Sequence, residues 1–185
     1  STNDIVKWLN SLNKENHLSV DILSLSLLKK WSFEDSGNLT HSNKGFFEIK
    51  GLQCKTNWGE VREWDQPIIY QSEIGILGLI TKKINGILYF LLQAKIEPGN
   101  INYVQLSPTL QATKSNYSRV HKGKSPPYLD YFQKASRENI LLDQLQSEQG
   151  GRFLRKRNRN IIITNASQIK YYIKITAYFI IKLYI

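Results

Sequence analysis

The dipeptide Asn85-Gly86 constrains this chain more than any other two residues. Apolar, β-branched stretches flank it, Gly75 to Lys82 on one side and Ile87 to Lys95 on the other. A two-residue loop joins strands without splaying them only when both central residues accept positive φ, and Asn-Gly meets that need. The pattern predicts a β-hairpin, and with it a sheet that buries one face. Pro98-Gly99-Asn100 then turns the chain into a further strand, Ile101 to Leu106. Alternation puts Val104 and Leu106 on one side of it and Tyr103 and Gln105 on the other.

Around this hairpin the periodicity is mixed. Ile5, Trp8, Leu9 and Leu12 recur at helical spacing, with Asn3 or Asp4 as a cap. A second helical or mixed segment is expected from Ser19 to Trp31, and a strand from Phe46 to Lys50. Asn57 to Pro67 reads as irregular, broken by the proline. Pro126-Pro127 precedes a helix over Tyr128 to Ser136. A further helix is expected from Arg137 to Gln149, with Leu141, Leu142 and Leu145 as its buried stripe and Gly150-Gly151 as its stop. Arg152 to Ile163 returns as a strand. Strands with flanking helices make an α+β domain. The domain is taken as residues 1–163. From 164 to 185 the composition shifts abruptly to Ile, Tyr, Lys and Asn, which reads as a divergent, non-native or disordered tail.

Composition narrows the class. A chain of 185 residues with 41% hydrophobic residues and four Trp is expected to fold as one domain with a sizeable core. Cys54 is the sole cysteine, which excludes an internal disulfide framework and suits a reducing compartment. No apolar stretch reaches the length of a membrane span, and the N-terminus has no signal-like hydrophobic region, so a cytoplasmic protein without a membrane partner is expected. The net charge of +10 is lopsided. Eight of the 25 basic residues follow from Arg152 on, where no acid stands, leaving 17 against 15 acids before it. A nucleic-acid binder spreads its cations along a face with aromatics between them. Here five of the eight crowd between Arg152 and Arg159, which makes nucleic acid the weaker reading.

Two stretches carry an unusual density of neutral hydrogen-bonding side chains. One is Gln105 to Tyr117, the other Leu145 to Asn160, and the second ends in the cation cluster Arg155-Lys156-Arg157-Asn158-Arg159. Amides and hydroxyls donate to and accept from sugar oxygens, and Arg forks onto phosphate in a bidentate way. The mixture suits a ligand with many hydroxyls and a phosphate group.

These two stretches resemble the NDP-hexose 2,3-dehydratases of deoxysugar biosynthesis. Gly45-Phe46-Phe47, Trp64-Asp65-Gln66-Pro67-Ile68, Gly75-Ile76-Leu77-Gly78 and Gln93-Ala94-Lys95-Ile96-Glu97-Pro98-Gly99-Asn100 match the same family, over about Trp8 to Ile163. The resemblance implies a Nudix-like fold, a mixed β-sheet flanked by helices, normally built from two copies of one unit. This chain has room for one copy, resembling the N-terminal repeat, and on this reading is a truncated form. It also implies the reaction, loss of water across C2 and C3 of a 4-keto-6-deoxyhexose on a nucleoside diphosphate, dTDP-linked. The C4 ketone acidifies the C3 proton, a base removes it, and the C2 hydroxyl leaves with help from an acid. No redox cofactor and no metal are required.

The family match directs attention to particular residues. Glu148, His121 and Tyr117 are the candidates for base, acid and donor to the enolate oxygen. For each a bland role stands beside the catalytic one: an ion pair for Glu148, a surface histidine for His121, core filling for Tyr117. Arg155, Arg157 and Arg159 are the phosphate candidates, with Lys156 between them. Lys114, Ser115 and Asn116 are placed on phosphate or sugar, and Gln105, Gln111 and Gln149 on sugar or base. Trp64 is either a nucleobase stacker or a core tryptophan. Lys95 is expected to face inward, where it needs a carboxylate or the ligand as partner. Glu97 is read as turn support, and His17 and His41 lack a constellation. The competing functions are an active lyase, an inactive nucleotide-sugar-binding module, and a nucleic-acid-binding domain. A lone copy exposes surface that a homodimer would cover.

Overall fold

A computed structural model of the chain describes residues 2–117, 125–164 and 178–182. The fold is mixed α+β, dominated by two sheets, with short helices. Helix α1 (Thr2–Glu15) opens the chain. It is pinned to β7 (Val104–Pro108) by the Asn13 side chain, which donates to Val104 O at 3.2 Å and accepts from Val104 N–H at 2.8 Å. The segment after it, expected to be helical or mixed, is extended and holds one 3₁₀ turn, Leu25–Leu27. Its leucines are spaced two apart, as in Leu23, Leu25 and Leu27, so they cannot form one helical stripe.

The smaller sheet is antiparallel, in the order β1 (Trp31–Phe33), β2 (Leu39–His41), β3 (Glu48–Lys55), β4 (Glu63–Tyr70). Pro67 lies inside β4, opposite Gly51, and does not break it. The reason is geometric. Ile69, two residues on, directs its N–H and C=O away from β3, to Arg152 O at 2.8 Å and from Leu154 N–H at 2.9 Å. Pro67 shares that outward direction, so its missing N–H takes no bond from the β3–β4 ladder. The parallel bridge Ile69↔Phe153 joins this sheet to the chain entering the larger one.

The larger sheet has seven strands. Its spine is β11 (Tyr178–Lys182), β6 (Ile87–Ile96), β5 (Gly75–Ile84), β10 (Arg157–Thr164), β9 (Ile140–Ser147), with β7 on β6 and β8 (Leu110–Ala112) on β5. The β5–β6 hairpin turns at Asn85 (φ 49°) and Gly86 (φ 81°), the double positive φ that Asn-Gly predicts. Strands β5 and β10 run parallel, and the rest of the ladder is antiparallel. β7 and β8 enter where β5 and β6 separate. There buried Thr109 accepts from Ile80 N–H at 3.0 Å and donates to Leu91 O, joining the two strands.

The expected helix over Arg137 to Gln149 is a 3₁₀ turn, Arg137–Asn139, followed by β9. Leu141 and Leu145 are exposed rather than a buried stripe. The outer edge of β10 needs a strand to satisfy its backbone, and that tertiary demand outweighs helix propensity. Helix α2 is Lys114–Tyr117 and α3 is Leu129–Gln133. α3 covers one sheet face, where Leu129 and Phe132 pack on Ile76, Ile80, Leu110, Ala112, Ile161 and Ile163. Gly78 lies directly under Phe132, and a Cβ there would overlap the ring. No described helix is long and apolar enough to cross a membrane.

Candidate functional site

The face of the larger sheet turned away from α3 is lined with amides. Strand register places its residues in two rows. Gln111, Leu77, Asn160 and Gln144 lie side by side across β8, β5, β10 and β9. Gly75, Asn158 and Gln146 form the adjacent row. Both rows alternate with the core positions Ile76, Gly78 and Ile161, so the period of two that buries one face delivers the amides to the other.

Asn158 is buried at the end of this face where β10 begins. Its side-chain oxygen accepts the Gly75 N–H at 3.3 Å, and its amide nitrogen donates to Glu148 Oε2. Gly75 lets Asn158 approach. A Cβ there would stand 2.9 Å from the Asn158 oxygen and 3.1 Å from Ala112 O. Glu148 is held by its backbone as well, its N–H donating to Lys156 O at 2.9 Å. Lys156 is 5% exposed and donates its ammonium to Glu73 O. Burial pushes this ammonium below the ordinary lysine range, while Glu73 and Glu148 pull it back up. The Glu73 carboxylate accepts the Ser115 N–H at 3.1 Å through Oε2 and the Gln71 amide at 3.0 Å through Oε1. Thr113 and Ser115 hydroxyls meet at 2.9 Å. The two glutamine-rich stretches therefore converge, through Glu73 and Lys156.

The candidates named from the sequence divide. Glu148 and Ser115 belong to this convergence, while Gln111 stands in the amide row and turns its side chain to Glu97 and Ser107. Gln105 lies opposite Lys95 in register, on β7 and β6, and Lys95 is paired with Glu97 at 2.7 Å, the carboxylate partner expected for it. Lys114 is exposed at the start of α2. The arginines take other directions. Arg157 and Arg159 alternate with Asn158 and so lie on the opposite face. Arg159 is engaged there, donating to both Asp143 oxygens at 2.8 and 2.6 Å. Arg155 is exposed at a positive φ of 52°. Gln149 is exposed, and its carbonyl closes the turn by accepting from Arg152 and Phe153. Trp64 is 40% exposed on β4 and donates to Gln66 Oε1 at 2.8 Å, while Gln66 donates to Gly151 O at 2.9 Å. The side chains of Asn116 and Tyr117 and the whole of His121 lie outside the described residues. Sequence reasoning missed Glu73 and Asn158. Glu73 sits in no motif, and Asn158 is flanked by arginines that drew the attention, although its place on the amide side follows from alternation.

A profile of the family described as NDP-hexose 2,3-dehydratase matches residues 2–180. The chain is similar to dTDP-4-dehydro-6-deoxy-alpha-D-glucopyranose 2,3-dehydratases of three bacteria. Identity is 50% over 157 residues with that of Saccharopolyspora spinosa, covering 84% of this chain and 32% of that protein. It is 42% over 174 residues with that of Amycolatopsis orientalis, covering 91% and 37%. With that of Streptomyces violaceoruber it is 47% over 135 residues, covering 72% and 30%. The chain thus spans about a third of the length of these curated relatives. Matches of this extent, over the strands that build the amide face, show that the chain belongs to the NDP-hexose 2,3-dehydratase family.

Proposed function

We propose that this chain is one Nudix-like unit of a sugar-nucleotide 2,3-dehydratase, and that its amide face receives a dTDP-linked 4-keto-6-deoxyhexose. The observation that supports this most is the convergence of Glu148, Asn158, Lys156, Glu73 and Ser115, drawn from both amide-rich stretches. Neutral amides match the many hydroxyls of a hexose, and Glu148 supplies a carboxylate within that field. In this reading Glu148 removes the C3 proton, made acidic by the C4 ketone, and the electron pair moves into the C2–C3 bond as the C2 hydroxyl departs with a proton. His121 or Tyr117 supplies that proton or the donor to the enolate oxygen. The resulting enol tautomerises to a 3,4-diketo sugar, so one water is lost and no oxidant is consumed. Lys114, Asn116 and Arg155 are assigned to the diphosphate, and Trp64 and Gln149 to the base. Arg157 and Arg159, on the face opposite the amides, have the weakest claim to the diphosphate, and Arg159 is already held by Asp143. The unit spans residues 1–163, works in the cytoplasm, and pairs with a second unit, as a homodimer if none is attached.

The test mixes the protein with the dTDP-linked 4-keto sugar and follows the dehydrated product by mass spectrometry. Turnover that Glu148→Gln abolishes, with binding retained, supports the lyase reading. Binding without turnover at high protein concentration leaves a nucleotide-sugar-binding module. Salt-dependent binding to arbitrary DNA, with no response to the nucleotide sugar, overturns both.

A further inference from the structure

A second polar cluster adjoins the amide face and is not used by Glu148. Lys95 donates to Glu97 Oε1 at 2.7 Å, and the Gln111 amide reaches the same oxygen at 3.4 Å. Ser107 donates to Gln111 Oε1 at 3.0 Å. Gln105 stands opposite Lys95 in the β6–β7 ladder, and Tyr103 lies two residues before it, in the bend that enters β7. Tyr103 is 38% exposed, and the His17 ring stands edge-on to its ring at 5.7 Å. Gln111 is the link, since its backbone sits in the row with Leu77, Asn160 and Gln144 while its side chain joins this cluster.

The chemistry of the cluster is distinctive. Lys95 and Glu97 cancel each other's charge, so the group offers no net attraction to a diphosphate. It offers a carboxylate oxygen, Oε2, beyond the one that both neighbours use, together with amides, a hydroxyl and an aromatic surface. Carboxylates and amides accept and donate to adjacent hydroxyls, and an aromatic ring packs on the apolar C–H face of a pyranose. A solvated ion pair would need neither three converging strands nor a half-exposed tyrosine.

We propose that Lys95, Glu97, Tyr103, Gln105, Ser107 and Gln111 form the hexose-recognition end of the site, reading the sugar ring rather than the nucleotide. This rests on the nucleotide-sugar reading above and adds a direction to it: the sugar lies toward β6 and β7. The test compares affinity for dTDP with affinity for dTDP-glucose, an inert conjugate without the 4-ketone, by titration calorimetry. Wild-type protein is expected to prefer dTDP-glucose. Glu97→Gln and Gln111→Ala should each weaken dTDP-glucose about tenfold, the scale of one or two lost hydrogen bonds to a charged or polar group, and leave dTDP within about twofold. Both side chains are substantially exposed, and unchanged melting temperatures confirm that the variants fold. Equal losses for both ligands, no loss for either, or a wild type that does not distinguish them overturns the hexose assignment alone. A wild type that binds neither ligand overturns the nucleotide-sugar reading and this proposal together.

Discussion

Replacing Asn158 by Ala removes both the acceptor for Gly75 N–H and the donor to Glu148, and leaves a buried backbone donor without its partner. The expected loss is about 1–3 kcal/mol, read from the midpoint of urea unfolding. A stability unchanged by the substitution would show that the amide is not structural. Asp143 illustrates a weaker kind of contact. The double donation from Arg159 holds its carboxyl below the usual carboxylate range. The folded state therefore binds that proton less readily than the unfolded one. The contribution is complete above the unfolded-state value and fades as pH falls through the lowered folded value. Both side chains are about a third exposed, so screening limits the pair to under about 1 kcal/mol. Asp143→Asn should cost that much at neutral pH, and the gap to wild type should close in strong acid. Lys156 works at the alkaline end. Its ammonium, lowered by burial from the ordinary 10.5, loses its proton before an unfolded lysine does. Wild type should gain stability relative to Lys156→Met as pH rises through that lowered value, and a pH-independent gap would contradict the burial argument.

At the scale of elements, the β5–β6 hairpin and the α3–β5 contact each hang on one glycine. Gly86 holds φ at 81°, which any other L-residue adopts at a cost of roughly 1–2 kcal/mol. Gly78→Ala drives a methyl into the Phe132 ring and should cost about 1–3 kcal/mol through overpacking, measured by thermal or urea unfolding. Gly78 was legible only as part of a matched run, because nothing local announces the helix that lies over it. The hairpin was fully legible, since turn chemistry and flanking periodicity agree there. The region from Arg137 to Gln149 was misread for a physical reason. Leu141, Leu142 and Leu145 fit helical spacing, but β9 is the only described partner for the outer edge of β10, and the ladder between them runs from Arg157 to Ile163.

Across the whole molecule, the positive charge and the candidate site separate. The basic run Arg155 to Arg159 is dense in sequence, yet alternation sends Asn158 and its flanking arginines to opposite faces, and Arg159 is neutralised by Asp143. That pairing and the burial of Lys156 leave only Arg155 and Arg157 of the run for a duplex, fewer than such a surface gathers. The expected outcome is a melting temperature raised by dTDP-glucose and unmoved by a random DNA duplex at physiological salt. The reverse result would favour the basic run as the working surface. The two sheets meet along Ile69 and Arg152 to Leu154, so the Gln149–Arg152 turn lies next to Gln66 while Lys156 lies next to Glu73. Trp64 is therefore tied to the entrance of the strand that carries Asn158.

Local chemistry was enough to determine the Asn85-Gly86 hairpin, the amphipathic first helix, the mixed α+β class, and the two amide-rich stretches from which the family was legible. These depend on residues adjacent in the chain, whose φ preferences and spacing act without reference to anything distant. Only the tertiary structure decided that β10 runs parallel to β5, that Arg137 to Gln149 contributes a strand, and that Glu73 joins Ser115 to Lys156. The first and last of these depend on backbone groups or charges brought together from more than forty positions apart, the second on the edge that β10 offers, and the demand that buried donors, acceptors and charges find partners is met by the fold and not by any single segment.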